Sequence, residues 1–473
     1  MENSSEYIRL FSGDIFGTIK EVIFDKSEID LKTKTSVNTK STEVNTSLND
    51  RITYITWRER ESDGLSLLSG NCIERIILDN NSSTILNELI IGRKNGIVEL
   101  LHISLLDNKS SFRTKFMFPS SIILIQDVTK QYIKYSDNKD ELFLLVIDSK
   151  CHLCIFKWNC AVKHMYNEDN ELIKVDTCWF FEERESTPDW LVHSTILPGS
   201  NILAAAYNSI NNSVAFGGYE NDLKIYSLKL MKIIWKCRNV SSNALKHRIP
   251  VYIRCLAFVQ LDPQLLLCGT GTGNIRLYSP TAQRKPIFSK QIWEDKSPVT
   301  SIAIAKQWSL FKDISNTFGC VAIVGNNIGS VSIIKLSAKE SDKSPIDFYV
   351  APTKRPSALA NISFKQHKRQ CIQKGEENKI KAIVPKYSRE NSIIIEYSVM
   401  GNLKGIMGGI SCISCLRLKY CKSDSTKVLV AITGPGRFVY IYDLTKREMI
   451  KKIHTHQKMC FILWDPSIKK EEK

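Results

Sequence analysis

One pattern recurs along the chain: a short apolar strand, a turn rich in Gly, Asn or Asp, and a second strand in which apolar and polar positions alternate. It occurs as Tyr7–Phe24, Leu89–Ile103, Leu142–Trp158, Ser213–Leu228, Leu265–Pro280, Cys320–Leu336 and Val428–Leu444. The turns fall at Gly13–Gly17, Asn95-Gly96, Asp148–Lys150, Tyr219–Asp222, Gly271–Asn274, Asn326–Gly329 and Gly434–Arg437, where such residues tolerate the backbone of a tight hairpin. Strand-like stretches follow three of the hairpins (Met231–Lys236, Arg284–Ile292, Glu448–Ile453) and precede three others (Tyr252–Phe258, Val299–Ile304, Ile410–Leu416). Each repeat therefore reads as a four-stranded sheet. Seven such sheets around an axis make an all-β, seven-bladed propeller, in which each blade buries its faces on its neighbours.

Seven blades of roughly 40–45 residues use only about 300 residues, so the chain of 473 carries long loop insertions. These are expected at 26–50, 107–140, 160–189 and 339–391, as decorations on one propeller domain spanning 1–467, with 468–473 a short charged tail. The N-terminal hairpin lacks an inner strand, and Lys458–Trp464 resembles one with no hairpin after it. The two are expected to complete a single blade and so close the ring.

Charge narrows the expected partners. The formal net charge is +16, and the excess is local. Lys229–Arg248 contains six Lys or Arg and no acid, and Pro352–Lys386 contains nine against Glu376 and Glu377. Such stretches favour a polyanion such as rRNA, and Lys365, Lys368 and Arg369, with Phe364 beside them, are the candidate RNA-binding residues. Fourteen cysteines without framework spacing, and no leader-like apolar run in Met1–Tyr7, predict reduced thiols in cytosol or nucleus. No apolar run approaches the roughly 18–20 residues of a membrane span.

Candidate chemistry is sparse. Gly269–Gly273 looks like a phosphate loop, but a strand, Asn274–Tyr278, follows where a helix is needed. Cys151/Cys154 and Cys412/Cys415 have CxxC spacing on strands, which sends the two thiols of each pair to opposite faces. His454 and His456 share a face but have no Cys or carboxylate beside them to complete a metal set. Nucleophile, zinc, calcium and nucleotide motifs do not occur. The chain is expected to be no enzyme, with no catalytic residue, metal, cofactor or small-molecule substrate.

Gly217–Tyr226, Trp235–Val240 and Leu245–Val251, then Gly271–Tyr278 with Gln283–Pro286, and finally Gly401–Gly405 with Gly408-Gly409, resemble the family of WD-repeat ribosome-biogenesis factors called Nop-seven-associated protein one or WD-repeat protein seventy-four. The resemblance covers roughly Ala215–Phe288 and Gly401–Asp443. It implies a WD40-type propeller in the nucleus and nucleolus, an assembly factor for the large ribosomal subunit. Its implied partners are other assembly factors, the pre-60S particle with its pre-rRNA, and an AAA-type ATPase for release. The expected contact residues at the conspicuous turns are Glu220, Asn221, Lys224, Arg248, Arg276, Arg284, Lys285 and Lys404. Two other readings compete: a substrate receptor or chromatin reader gripping a peptide in an acidic or aromatic cage at the ring mouth, and a propeller hydrolase with a convergent acid, base and metal.

Overall fold

The first strands of the hairpins are nearly continuous apolar runs, and in three of them, Phe143–Asp148, Ser213–Gly218 and Leu265–Thr270, every residue is buried. A strand buried on both faces needs cover on each side, and the fold supplies it with a sheet either way around a ring. The computed structural model describes residues 6–25, 38–41, 50–57, 66–68, 72–77, 88–102, 114–132, 141–158, 191–240, 247–259, 265–306, 318–341, 379–385, 392–420 and 426–470.

The strands form seven antiparallel sheets, each with an inner, second, third and outer strand. Blade 4 shows the plan: Ile202–Asn208, Ser213–Gly218, Asn221–Ser227 and Lys232–Lys236 pair in that order. The inner strands of blades 1 to 7 are Met459–Lys470, Ile52–Trp57, Ile122–Asp127, Ile202–Asn208, Ile253–Val259, Val299–Lys306 and Cys412–Tyr420. Each contacts the next and the last contacts the first, so the ring is closed. Because the strands alternate in direction, the turns between second and third strands lie at the same end as the described connections into the next blade, here called the upper face.

Blade 1 is built from both ends of the described chain. Met459–Lys470 pairs antiparallel with Glu6–Asp14, with Ile462 opposite Ser12 and Trp464 opposite Leu10, as the orphan strand and the incomplete hairpin required. Charge reinforces this closure. Arg9, on the second strand, donates from Nε to Asp465 on the inner strand and from Nη1, at 3.3 Å, to Glu21 on the third. All three are buried. Indole donors continue the seam: Trp57 Nε1 bonds the Trp464 carbonyl at 2.8 Å, and Trp464 Nε1 bonds the Ser414 carbonyl at 3.1 Å, joining blades 2, 1 and 7. Removing one member of a buried ion cluster strands the others, at a cost of about 3–5 kcal/mol. Arg9→Met is therefore expected to lower unfolding free energy by that amount in urea titrations. Arg9→Met combined with Glu21→Leu and Asp465→Leu should recover most of it, and a triple variant no more stable than the single one would contradict this account.

Several stretches read from the sequence as insertions contain blade strands. Asn38–Ser41 is the outer strand of blade 1, Thr114–Met117 is that of blade 2, and Ile122–Asp127 is the inner strand of blade 3, followed by the short helix Thr129–Tyr132. In blade 6 the third strand, Val331–Ser341, and the outer strand, Ser392–Leu403, both run long, and Lys379–Pro385 adds a fifth strand. The segment after Trp57 contributes Ser66–Leu68 and Cys72–Ile77, the latter pairing in parallel with the inner strand of blade 7. The last strand continues through Lys470, into the stretch read as the charged tail. Residues 160–189 lie outside the described residues.

Candidate docking surface

The inner strands of all seven blades line a central channel of about 510 Å³. Its wall is mostly hydroxyl, amide and small side chains, among them Thr53, Gln126, Ala205, Thr300 and Ser411, with Arg51, Lys130 and Arg254 as cations. Asp127 is the one acid among the described lining residues, and it is committed locally, accepting from the Thr129 backbone N–H at 2.9 Å and hydroxyl at 2.5 Å. No group of three or more His, Cys, Asp or Glu that could hold a metal occurs among the described residues. Cys151 and Cys154 pack into separate core clusters on the two faces of blade 3, and Cys412 and Cys415 do the same in blade 7. Burial pushes the Cys412 thiol up to about 12, which leaves it protonated and unreactive.

The eight expected contact residues separate by depth. Asn221, Lys224 and Arg276 are 2%, 7% and 3% exposed, so they are corrected here: none forms part of the surface. Lys224 and Arg276 occupy matching positions on the third strands of blades 4 and 5, where the alternation that suggests solvent instead meets the neighbouring blade. The Lys224 ammonium donates to Asn221 Oδ1 and lies 5.6 Å from the Phe216 ring centroid; desolvation, and then Lys236, lower its pKa. Gly199 makes this burial possible, since at φ +124° it lets the backbone pass over Asn221, and a Cβ there would stand 2.4 Å from Asn221 Oδ1. Burial raises the pKa of the Tyr278 hydroxyl, and the nearby Arg276 charge opposes that rise.

Glu220, Arg248, Arg284, Lys285 and Lys404 are exposed. Glu220 also clips blade 4 to blade 5. Its backbone N–H donates to the Val251 carbonyl at 2.8 Å, and its carboxylate pairs with Arg248 at 3.0 Å. Arg284 Nε donates to the Lys236 carbonyl at 2.8 Å, tying the blade 5 rim to the outer strand of blade 4. Lys404 lies above blade 7, its carbonyl held by the Tyr442 hydroxyl at 2.7 Å. Lys365, Lys368 and Arg369 lie outside the described residues.

Three further residues complete this face. Tyr219, at the apex of the blade 4 turn, is 52% exposed and meets Tyr252 edge to face, with centroids 5.4 Å apart. Arg254 sits 5.8 Å over the Tyr252 ring and lines the channel. Tyr219, Tyr252 and Arg254 therefore run from the upper rim to the channel mouth, flanked by Arg248 and Glu220. Aromatic and Arg side chains held rigidly on a surface are the groups that dominate protein interfaces. The signal was present in the sequence, because a tyrosine at a hairpin apex replaces the small polar residue a turn prefers.

The class of protein follows from these observations: a seven-bladed β-propeller whose upper face presents aromatic and cationic side chains over a neutral to basic channel. No protein-family model matches the chain. Over 284 residues it is 24% identical to the Ribosome biogenesis protein NSA1 of Meyerozyma guilliermondii, a match covering 57% of this chain and 56% of that protein. The alignment thus spans about half the length of the curated relative. The chain is similar, at a distance, to the WD-repeat ribosome-biogenesis family that its blade 4, 5 and 7 motifs resemble. Among solved structures, Raptor from Chaetomium thermophilum aligns with 84% of this chain and 25% of its own, at 9% identity and a TM-score of 0.42.

Proposed function

We propose that this propeller is a non-enzymatic assembly factor of the large ribosomal subunit, holding other assembly factors on pre-60S particles and supporting pre-rRNA processing in the nucleolus. The match to a ribosome biogenesis protein carries this reading. The geometry supports it in kind: Tyr219, Tyr252 and Arg254 form an aromatic and cationic run from the upper rim to the channel mouth. A peptide reader would need an acidic or aromatic cage. Here the Tyr54 ring packs against Phe461 at 5.2 Å as part of the core, and Asp127 caps a helix. Release by an AAA-type ATPase belongs to the same proposal, as do Glu220, Arg248, Arg284, Lys285 and Lys404 as further contacts and Lys365, Lys368 and Arg369 as RNA contacts.

Sedimentation tests it. A tagged chain is expected to travel with pre-60S particles through sucrose gradients. Tyr219→Ser with Arg254→Ala should reduce that association at least tenfold, equivalent to about 1.4 kcal/mol, with an unchanged melting temperature. A wild-type chain absent from those fractions would remove the proposal, and a double variant that sediments normally would remove this face from it.

A further inference from the structure

A second surface stands apart from the Tyr219 face, at the seam between the outer strands of blades 6 and 7. Its floor is the third strand of blade 7, Phe438–Asp443, paired to the outer strand Glu448–His454 so that Phe438 lies opposite His454 and Tyr440 opposite Lys452. Over this floor passes the connection from blade 6, fixed by the Tyr442 hydroxyl on the Lys404 carbonyl and by the Met407 N–H on the Tyr440 hydroxyl, 3.0 Å. Along this seam lie Arg447, which bonds the Met400 carbonyl at 2.8 Å, Lys452, whose ammonium reaches Met407 Sδ at 3.6 Å, and then His454 and His456.

The seam combines cations and flat rings. The Lys452 ammonium stands 4.1 Å from the Phe438 centroid, so the ring holds the charge while leaving the head in solvent. His454 lies 5.0 Å from Phe438 and 4.4 Å from His456, and both imidazoles are exposed, as are Lys404, Arg437 and Met407, the last at 62%. The three segments that build the seam, 397–420, 426–442 and 449–464, contain no Asp or Glu. Asp443 and Glu448 are paired at the opposite end of the same two strands. Nothing acidic from those strands therefore neutralises Lys404, Arg437 and Lys452.

We propose that this seam binds single-stranded RNA, with Lys404, Arg437 and Lys452 on successive phosphates and His454, beside Phe438, as the platform for a base. Clustered cations alone suit any polyanion. Exposed imidazoles on the same seam, beside the half-buried Phe438 ring, favour unpaired bases over an acidic peptide or a duplex. The proposal rests on reading the chain as part of an RNA-rich particle, but its evidence is the seam itself.

Fluorescence anisotropy of the purified full chain with a labelled single-stranded RNA of about 20 nucleotides, one charge per phosphate, tests it. Each phosphate contact to a single strand contributes about 0.7 to the slope of log affinity on log salt. Lys404→Ala, Arg437→Ala and Lys452→Ala together should flatten that slope by about 2, and His454→Ala should reduce the preference for single strand over duplex several-fold. Ultraviolet cross-links should map to Met400–Gly408 and Met449–Lys458, a readout that needs no variant to fold. An unchanged slope in a folded triple variant, cross-links confined elsewhere, or equal competition by polyglutamate would each overturn the proposal. If the seam fails while the wild-type chain still sediments with pre-60S particles, the proposed function stands. If purified protein binds RNA through the seam but never associates with those particles, the seam stands and the proposed function falls.

Discussion

A chain ending at Lys458 is expected to show no cooperative thermal transition. The missing strand supplies the inner wall of blade 1, and Met459, Phe461, Ile462, Leu463 and Trp464 are all buried. At about 1.5–3 kcal/mol per large buried side chain, their loss amounts to on the order of 10 kcal/mol, comparable with the whole stability of a typical domain at about 5–15 kcal/mol. Arg9 loses its Asp465 partner at the same stroke, and the Trp57 indole loses its acceptor. An open ring also exposes the faces of blades 7 and 2 that the closing blade covers. Circular dichroism melting checks this directly; a truncated chain with the wild-type midpoint would mean that the ring does not depend on its terminal strand.

The second large effect is alkaline destabilisation. Burial raises the thiol of Cys237 from 9.0 to about 11, and those of Cys268, Cys320 and Cys412 to about 12. Because the folded values exceed the unfolded ones, the stabilisation is complete below pH 9 and falls as the pH climbs towards 11 and 12, where the unfolded chain has already released its protons. Near pH 10 each thiol costs about 1.4 kcal/mol, so the four together remove roughly 5 kcal/mol. Urea midpoints in reductant at about pH 8 and about pH 10, one unit either side of the free-thiol value of 9.0, should differ accordingly. Replacing Cys268 and Cys320 by alanine should shrink the difference by about 2 kcal/mol, and a pH-independent midpoint would show that these thiols are not held neutral.

The hairpins were legible because the second and third strands are buried on both faces and their turns need special residues; Phe143–Asp148 followed by His152–Lys157 needs no context to be recognised. Outer strands offer no such signal. Asn38–Ser41 is Asn-Thr-Lys-Ser, polar at every position, and becomes a strand only because the edge beside it has unpaired backbone groups. Ile122–Asp127 was hidden differently, since an inner strand without its own turn lies inside a long connection.

Lys224 and Arg276 were read as surface because they are charged residues at conspicuous turns, where contacts gather. In a propeller the strand beside such a turn meets another blade, and the local pattern cannot reveal whether a charge there finds a partner. Arg9 found two carboxylates. Lys224 found an amide oxygen and a ring instead. The docking face was half visible, in the turns that carry Glu220 and Arg248. Its aromatic core needed the fold, because Tyr219 and Tyr252 meet only when the blade 4 turn reaches the connection into blade 5.

The most direct test of the ribosome-assembly account is affinity purification of the tagged full chain at low and high salt, with the protein and RNA in each eluate identified. Exposed ionic contacts weaken as salt rises, while packed aromatic contacts persist. The expected low-salt eluate contains large-subunit assembly factors together with large-subunit pre-rRNA; at high salt the RNA is lost and the protein partners remain. An eluate without large-subunit precursors under either condition would contradict the account.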